Sequence, residues 1–448
     1  MRRSLMIIGL LGMLVAVFPR ATSLYDLTGE ESLDGQLLGL VQWFNAAVRP
    51  QPKLATSAAI DHVDVSPFGM NVFVQGEPSV DVREELMQQL NVGGFKWIRQ
   101  QFDWEDIEIH AKDDFIDRRN DPNGVDAWAK YDNIVDLAEQ YDVNILARID
   151  NPPSWSRAAG NDEGTLAPPD DLNDYGDFVA QVVERYAERI TYFQLWNEPN
   201  GNGEWGAVGP NPEQFTDLLC EGYRRAKGAN PNAIVVGPAL TPTFDVSHLN
   251  LNDQIFMQRM YTAGAGDCFD LMSAQGYGLR SGPTDQRLQW NRVNFTYHLY
   301  IRDMMVVNGD ADKAIWISET GWNALPDGMV PAGAEPYGKV SSAEQARYGV
   351  QLYERVVDEW PWIGVANYWF LKRPIPEPDQ PYYYFRAMEP NFTPLPVWEA
   401  LREFAPNADL ERNVKGVWEF RPILFQLATL IFLITLTQTL MPNPKHDV

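Results

Sequence analysis

The chain has 448 residues, 45% hydrophobic and 22% charged, enough to build one large core or two ordinary ones. Its net charge of −25 excludes nucleic acid as a partner, because phosphates repel such a surface and no Lys/Arg cluster reverses it. The histidines (His62, His110, His248, His298 and His446) lack ligand-type spacing, so no metal site and no cofactor is expected.

In chain order, Met1-Arg2-Arg3 precedes an apolar run from Leu5 to Phe18, then Pro19-Arg20 and the small residues Ala21-Thr22-Ser23. Residues 1–23 read as a signal peptide or signal anchor, since the run is shorter than the roughly 20 residues of a spanning helix. In residues 24–65, Leu33, Leu37, Leu40, Val41 and Phe44 recur at helical spacing and Arg49-Pro50-Gln51-Pro52 ends the pattern. This predicts an amphipathic helix and a linker, either a stalk or a lid packed on the main domain.

From residue 66 to 405 the chain alternates strand and helix signals. Short apolar runs at 69–74, 95–100, 143–149, 191–196, 233–236, 271–275, 314–318 and 364–370 suit strands buried on both faces. Between them Tyr131, Ile134, Val135 and Ala138 mark one helix face, and Tyr175, Phe178, Val179, Val182, Val183 and Tyr186 another. Tyr348, Leu352 and Val356 mark a third, which opens on the capping box Ser341-Ser342-Ala343-Glu344. Asn211-Pro212-Glu213 starts a fourth helix, with proline in its first turn. Eight such units predict an α/β fold of the (β/α)8 TIM-barrel type. A doubly wound open sheet is the alternative, but no glycine-rich phosphate loop follows the first strand. Gly333-Ala334-Glu335-Pro336-Tyr337-Gly338-Lys339-Val340 mimics such a loop without its final Ser/Thr and without a strand before it.

Residues 406–421 read as a juxtamembrane linker. Pro422 to Met441 carries no charge, is apolar on every face and lies between Arg421 and Lys445, so 422–441 is predicted to be a transmembrane helix with a polar tail at 442–448. This makes the membrane a partner and places the barrel outside the cytoplasm at the cell membrane. The acceptor sequons Asn294-Phe295-Thr296 and Asn391-Phe392-Thr393 suit that side. Cys220 and Cys268 are either one bridge or two buried thiols.

Two glutamates stand out. Glu198 closes the run Ile190 to Trp196 with Asn197, and Glu319 closes Ala314 to Ser318. On a barrel the chemistry sits at the C-terminal strand ends, and ends four and seven face each other across the mouth. A carboxyl pair in one pocket is what glycosidic bond cleavage needs. The chain also holds 15 Trp, and those at strand ends suit stacking on sugar faces as well as plain core packing.

Trp196-Asn197-Glu198-Pro199-Asn200 with Ile317-Ser318-Glu319-Thr320-Gly321-Trp322 resembles the signature of clan A glycoside hydrolases, the retaining (β/α)8 glycosidases. The resemblance spans about 66–405, and Phe392 to Leu401 is similar to the entry of the closing helix in such enzymes. It implies Glu198 as general acid/base and Glu319 as nucleophile, acting on a glycoside or an oligo- or polysaccharide. It further implies Asn197 on the sugar 2-OH, Arg99 beside the nucleophile, Tyr277 hydrogen-bonded to Glu319 and Trp369 flooring the sugar, with Trp155 along the same cleft. One departure is Gln275, where the family often has histidine. The competing expectation is a non-catalytic, membrane-tethered glycan-binding or assembly protein on the same barrel.

Overall fold

The structure is a computed structural model, and it describes residues 23–410 together with Leu433 and Leu436. Eight parallel strands form its centre: β1 (Phe68–Asn71), β2 (Trp97–Asp103), β3 (Asn144–Asp150), β4 (Tyr192–Leu195), β5 (Ile234–Val236), β6 (Met272–Gln275), β7 (Ile315–Thr320) and β8 (Ile363–Tyr368). Every strand pairs with its sequence neighbours, β1 pairs with β8, and a parallel bridge from Val236 to Leu271 joins β5 to β6. The sheet is therefore a closed barrel without an edge, which short parallel strands flanked by helices favour.

Two helices precede the barrel, α1 (Leu24–Thr28) and α2 (Leu33–Ala47). Apart from a one-turn helix at Trp104–Ile107 after β2, one helix then follows each strand in turn: α3 (Val80–Val92), α4 (Ala129–Gln140), α5 (Leu172–Arg185), α6 (Pro212–Ala229), α7 (Asp253–Thr262), α8 (His298–Val307), α9 (Ser342–Glu359) and α10 (Pro396–Phe404). The starts predicted at Asn211 and Ser341 are real caps: Asn211 accepts from the Gln214 N–H, and Ser341 with Glu344 completes a capping box. Each satisfies amide donors that a helix start leaves unpaired. A small two-stranded ribbon, Ile116–Asp117 with Val125–Asp126, projects after β2 and has no counterpart in the predicted elements.

The segment before the barrel packs on it at both ends. Near the mouth, the Tyr25 hydroxyl donates to Gln351 at 2.9 Å, the Gly282 N–H donates to the Gly29 carbonyl at 2.7 Å, and Arg347 pairs with Glu31. At the opposite end, Arg302 donates to the Leu54 carbonyl at 3.0 Å and the Trp316 indole to the His62 carbonyl at 2.9 Å. So α2 runs down the flank from mouth to base and residues 54–65 strap the base. Of the two expectations, packing on the main domain is the one met, along the flank and base, because these backbone acceptors are occupied by barrel side chains.

Cys220 and Cys268 are bonded, with Cα atoms 4.8 Å apart, which ties α6 to the turn ahead of β6. No helix among the described residues is long and apolar enough to cross a membrane. The predicted signal segment, apart from Ser23, and the predicted span 422–441, apart from Leu433 and Leu436, lie outside the described residues. So do 411–421 of the predicted linker and the tail 442–448.

Candidate active site

The two glutamates meet at the C-terminal mouth. Glu319 is the fifth residue of β7, and Glu198 stands just past the end of β4. Both line one cavity of about 390 Å³, with Asn197, Tyr277 and Trp369 from the predicted set. The chain leaves β4 through left-handed backbone at Trp196 (φ 69°) and Glu198 (φ 41°), conformations that residues other than glycine rarely adopt and that concentrate at functional sites. The Glu198 N–H is held at 2.9 Å by the Ala239 carbonyl, and the Trp196 indole donates to the Glu204 carbonyl at 2.6 Å, which fixes the turn.

The environments of the two carboxyls differ. Glu319 receives Arg99 Nη1 at 2.9 Å on one oxygen and the Tyr277 hydroxyl at 2.7 Å on the other, so its negative charge is matched by a cation and a second donor. Tyr277 is itself pushed well above its ordinary pKa by burial and then by the charge of Glu319, which keeps the hydroxyl a donor. Glu198 has no cation in contact among the described residues and accepts one hydrogen bond, from Gln275 Nε2 at 2.6 Å. Burial, then the charges of Glu319 and Glu204, push its pKa up to about 8, against the smaller pull of Gln275 and Arg148. One carboxyl is matched by a cation, and the other is built to hold a proton at neutral pH.

Arg99 is the centre of the network. It stands near the end of the predicted run 95–100, but β2 continues to Asp103, so Arg99 lies mid-strand in the barrel interior. A buried cation there needs partners, and it has them: Gln194 Oε1 at 2.7 Å, Asn71 Oδ1 at 3.1 Å, Asn197 Oδ1 at 2.8 Å and Glu319. Asn197 is thereby oriented, and its side chain also hydrogen-bonds Glu204.

Trp369 stands past β8, half-buried and edge-on to Phe73 at 5.6 Å, with its ring on the cavity. Trp155 is not brought here. Its indole N–H donates to the Glu108 carbonyl at 2.7 Å and its ring packs edge-on against Trp104, so it belongs to the wall behind β2 and β3.

Several residues of the site escaped sequence reading. Asn71 and Gln194 are polar side chains inside apolar strands, an anomaly that marks an interior network once the barrel is assumed. Arg148 and Asp150, at the end of β3, pair with each other, and Arg148 reaches Glu204 at 3.3 Å. Glu204 comes from the loop after β4 and carries no sequence signal. A second cavity of about 650 Å³, lined by Phe73, Asp103, Glu105 and Lys130 among others, meets the first at Arg373, which lies 3.8 Å over the Phe73 ring. Burial, with Asp150 and Asp106 nearby, pushes Asp103 there up to about 7. No group of three or more His, Cys, Asp and Glu among the described residues is arranged to hold a metal ion.

The profile of the cellulase family, glycosyl hydrolase family 5, matches residues 59–330. The chain belongs to this family of glycoside hydrolases. The match begins in the strap at the barrel base and runs past Glu319, so it takes in both glutamates. Among curated proteins, a beta-xylosidase of Geobacillus stearothermophilus is 31% identical over 85 residues, 17% of this chain and 16% of the relative. Among solved structures, a family 39 glycoside hydrolase from Bacteroides cellulosilyticus WH2 superimposes with a TM-score of 0.58 at 18% identity, covering 78% of this chain and 65% of the other. An endo-beta-1,4-mannanase from Thermotoga petrophila gives 0.51 at 15% identity, covering 81% and 80%. At the identities of the solved structures the likeness is one of fold, and this chain matches only 16% of the curated relative's length.

Proposed function

We propose that the protein is a retaining glycoside hydrolase in which Glu319 is the nucleophile and Glu198 the acid/base. The observation that carries this reading is the unequal environment of two carboxyls on one cavity: Arg99 and Tyr277 on Glu319, burial and like charge on Glu198. In the first step a Glu319 oxygen attacks the anomeric carbon while the glycosidic C–O bond breaks, and the Glu198 proton passes to the departing oxygen. In the second step the Glu198 carboxylate takes a proton from water as the water oxygen attacks the same carbon, and Glu319 leaves as a carboxylate. Asn197, held by Arg99, is placed to hydrogen-bond the sugar 2-OH, and Trp369 to stack on its face.

The substrate is a glycoside, as the family implies. The beta-xylosidase relative suggests β-xylosides as the first class to test. We further propose a tether through 422–441 that holds the barrel outside the cytoplasm. The bonded Cys220–Cys268 pair supports that side, because such bonds persist in oxidising compartments.

The decisive experiment uses an aryl glycoside on which the wild-type protein is active. Glu319→Ala should abolish turnover, and azide should restore part of it with formation of the glycosyl azide. Turnover that survives the substitution overturns the assignment. Glycan binding by calorimetry with no hydrolysis across a broad panel would instead point to a binding protein on the same barrel.

A further inference from the structure

Two cations follow β8 side by side, and their surroundings differ. Lys372 is buried and pairs with the buried carboxylate of Glu77, which fastens this loop to the turn after β1. Arg373 donates no hydrogen bond to any described residue. Its Nε is buried without a partner, and the nearest carboxylate oxygen, on Glu377, stands 3.5 Å away. Arg99, by contrast, has four acceptors within 3.1 Å. Burial holds the Arg373 pKa below the ordinary arginine value, against the opposing pull of Glu377. A guanidinium withdrawn from water with its donors unused is a group that a ligand's acceptors would satisfy.

The side chain is held in place. Its guanidinium lies 3.8 Å over the Phe73 ring, 5.1 Å from the Phe370 ring and 5.5 Å from that of Tyr382. The loop beneath it is pinned as well: the Leu371 N–H donates to the Asn71 carbonyl at 3.1 Å, and the Ala387 and Met388 N–H groups donate to the Leu371 carbonyl at 3.0 and 2.8 Å. Rings take the faces of the guanidinium and Glu377 takes its Nε edge, which leaves the two Nη groups. Arg373 lines both the cavity of Glu198, Glu319 and Trp369 and the second cavity beside it. The other cations lining these cavities are already paired: Arg148 with Asp150 and Glu204, Lys130 with Asp106, and Arg119 with Asp106 and Asp117. A planar pair of Nη donors matches the two oxygens of a carboxylate.

We propose that Arg373 binds the carboxylate of a hexuronic acid, so that the substrate is a glycoside that carries an acidic sugar. Standing where the two cavities meet, Arg373 is placed for a carboxylate on the sugar being cleaved or on its neighbour, and the same group is recognised in both cases. The net charge of −25 repels a densely charged polyanion, so a single local cation selects one acidic sugar at the site rather than a chain of them. A β-D-glucuronide has the ring of the β-xylosides named above with a carboxylate added on C5, which makes the two a pair that differs in the group Arg373 would bind. The cleavage of such a substrate rests on the retaining-hydrolase reading; the binding of its carboxylate does not.

The test uses the full chain. Calorimetry measures its binding of methyl β-D-glucuronide, methyl β-D-xyloside and methyl β-D-glucoside, and the 4-nitrophenyl glycosides of the same three sugars measure hydrolysis. The proposal expects the glucuronide to bind about 10- to 100-fold more tightly than the two neutral glycosides, with a preference that shrinks as salt rises. Arg373→Gln should remove the preference and Arg373→Lys should keep part of it. Arg402→Gln, exposed on α10, should keep all of it, and circular dichroism checks that each variant is folded. Faster hydrolysis of the glucuronide puts the carboxylate on the cleaved sugar, and preferential binding without faster hydrolysis puts it on the neighbouring one; both support the proposal. Preferential binding with none of the three hydrolysed counts against the catalytic reading and leaves this one standing. Equal or weaker binding of the glucuronide, no binding of any of the three, or a preference that survives Arg373→Gln overturns the proposal.

Discussion

The two ends of the barrel are built from opposite materials. At the base, Val63, Trp97, Leu146, Val236, Leu271, Ala314, Trp316 and Val365 form a buried apolar cluster, with the 54–65 strap laid across it. Gly364 allows that closure, since a Cβ there would stand 2.2 Å from the Trp316 indole and 2.4 Å from the His62 carbonyl. At the mouth, the same strands present Gln194 and Glu319, both hydrogen-bonded to Arg99, and Gln275, which donates to Glu198. The base contributes stability through area and packing; the mouth places charges where burial costs free energy and keeps two carboxyls unlike.

The sharpest way to break this contrast is to change one residue at each end. Glu319→Gln should lower turnover by about 10⁴-fold or more while the barrel stays folded, read as kcat on an aryl glycoside beside a circular dichroism spectrum. The same variant removes the second-largest cause of the high Glu198 pKa, so the Glu198 titration should move down from about 8. Trp316→Ala at the base should cost about 3–5 kcal/mol of stability in denaturant melts and leave kcat per folded molecule nearly unchanged. If the two variants trade effects, the division between ends is wrong.

Reduction of the Cys220–Cys268 bond, or Cys220→Ser with Cys268→Ser, should cost about 4 kcal/mol, by the loop-closure estimate for its separation of 48 residues. A melt with and without reductant checks it, and activity at low temperature should survive. Glu198 sets the pH dependence. Its folded pKa is raised, so the folded state binds the proton better than the unfolded chain does. Its contribution to stability is full below its ordinary pKa of 4.5 and is lost as pH rises through about 8. Glu198→Gln should therefore stabilise the protein above pH 8, seen as a Tm difference that vanishes in acid. In the wild type the alkaline limb of kcat/KM should fall near the same pH.

The smallest effect expected is at Gln275. Its Nε2 donates to Glu198 while its Oε1 is buried without a partner, so the amide stabilises the charged form of Glu198. Gln275→Leu should raise the alkaline limb of the pH–rate profile by about half a unit to one unit, with the KM for a good aryl leaving group little changed. An unshifted limb would show that the contact only packs.

The strand count and the pairing of Glu198 with Glu319 were legible in the sequence because short apolar runs and strand-end carboxylates are local signals, and a closed eight-stranded barrel turns sequence order into position. The predicted runs and the observed strands differ mainly at their ends, as at β2, where Gln101 and Asp103 extend the pairing past the apolar run. Arg99 and Tyr277 were placed near Glu319 by resemblance, and the structure adds their bonds to it. Trp155 went elsewhere because an indole N–H takes the nearest buried acceptor, here the Glu108 carbonyl, a choice that no spacing rule encodes.

The sequence by itself determined the architecture and the residue types at the mouth, because periodicity and chain order carry that information. Only the tertiary structure decided which carboxyl is matched by a cation, that Gln275 reaches Glu198, that the two cysteines meet and that α2 lies along the flank. Each of these depends on distances between residues far apart in sequence, and such distances exist only once the barrel has closed.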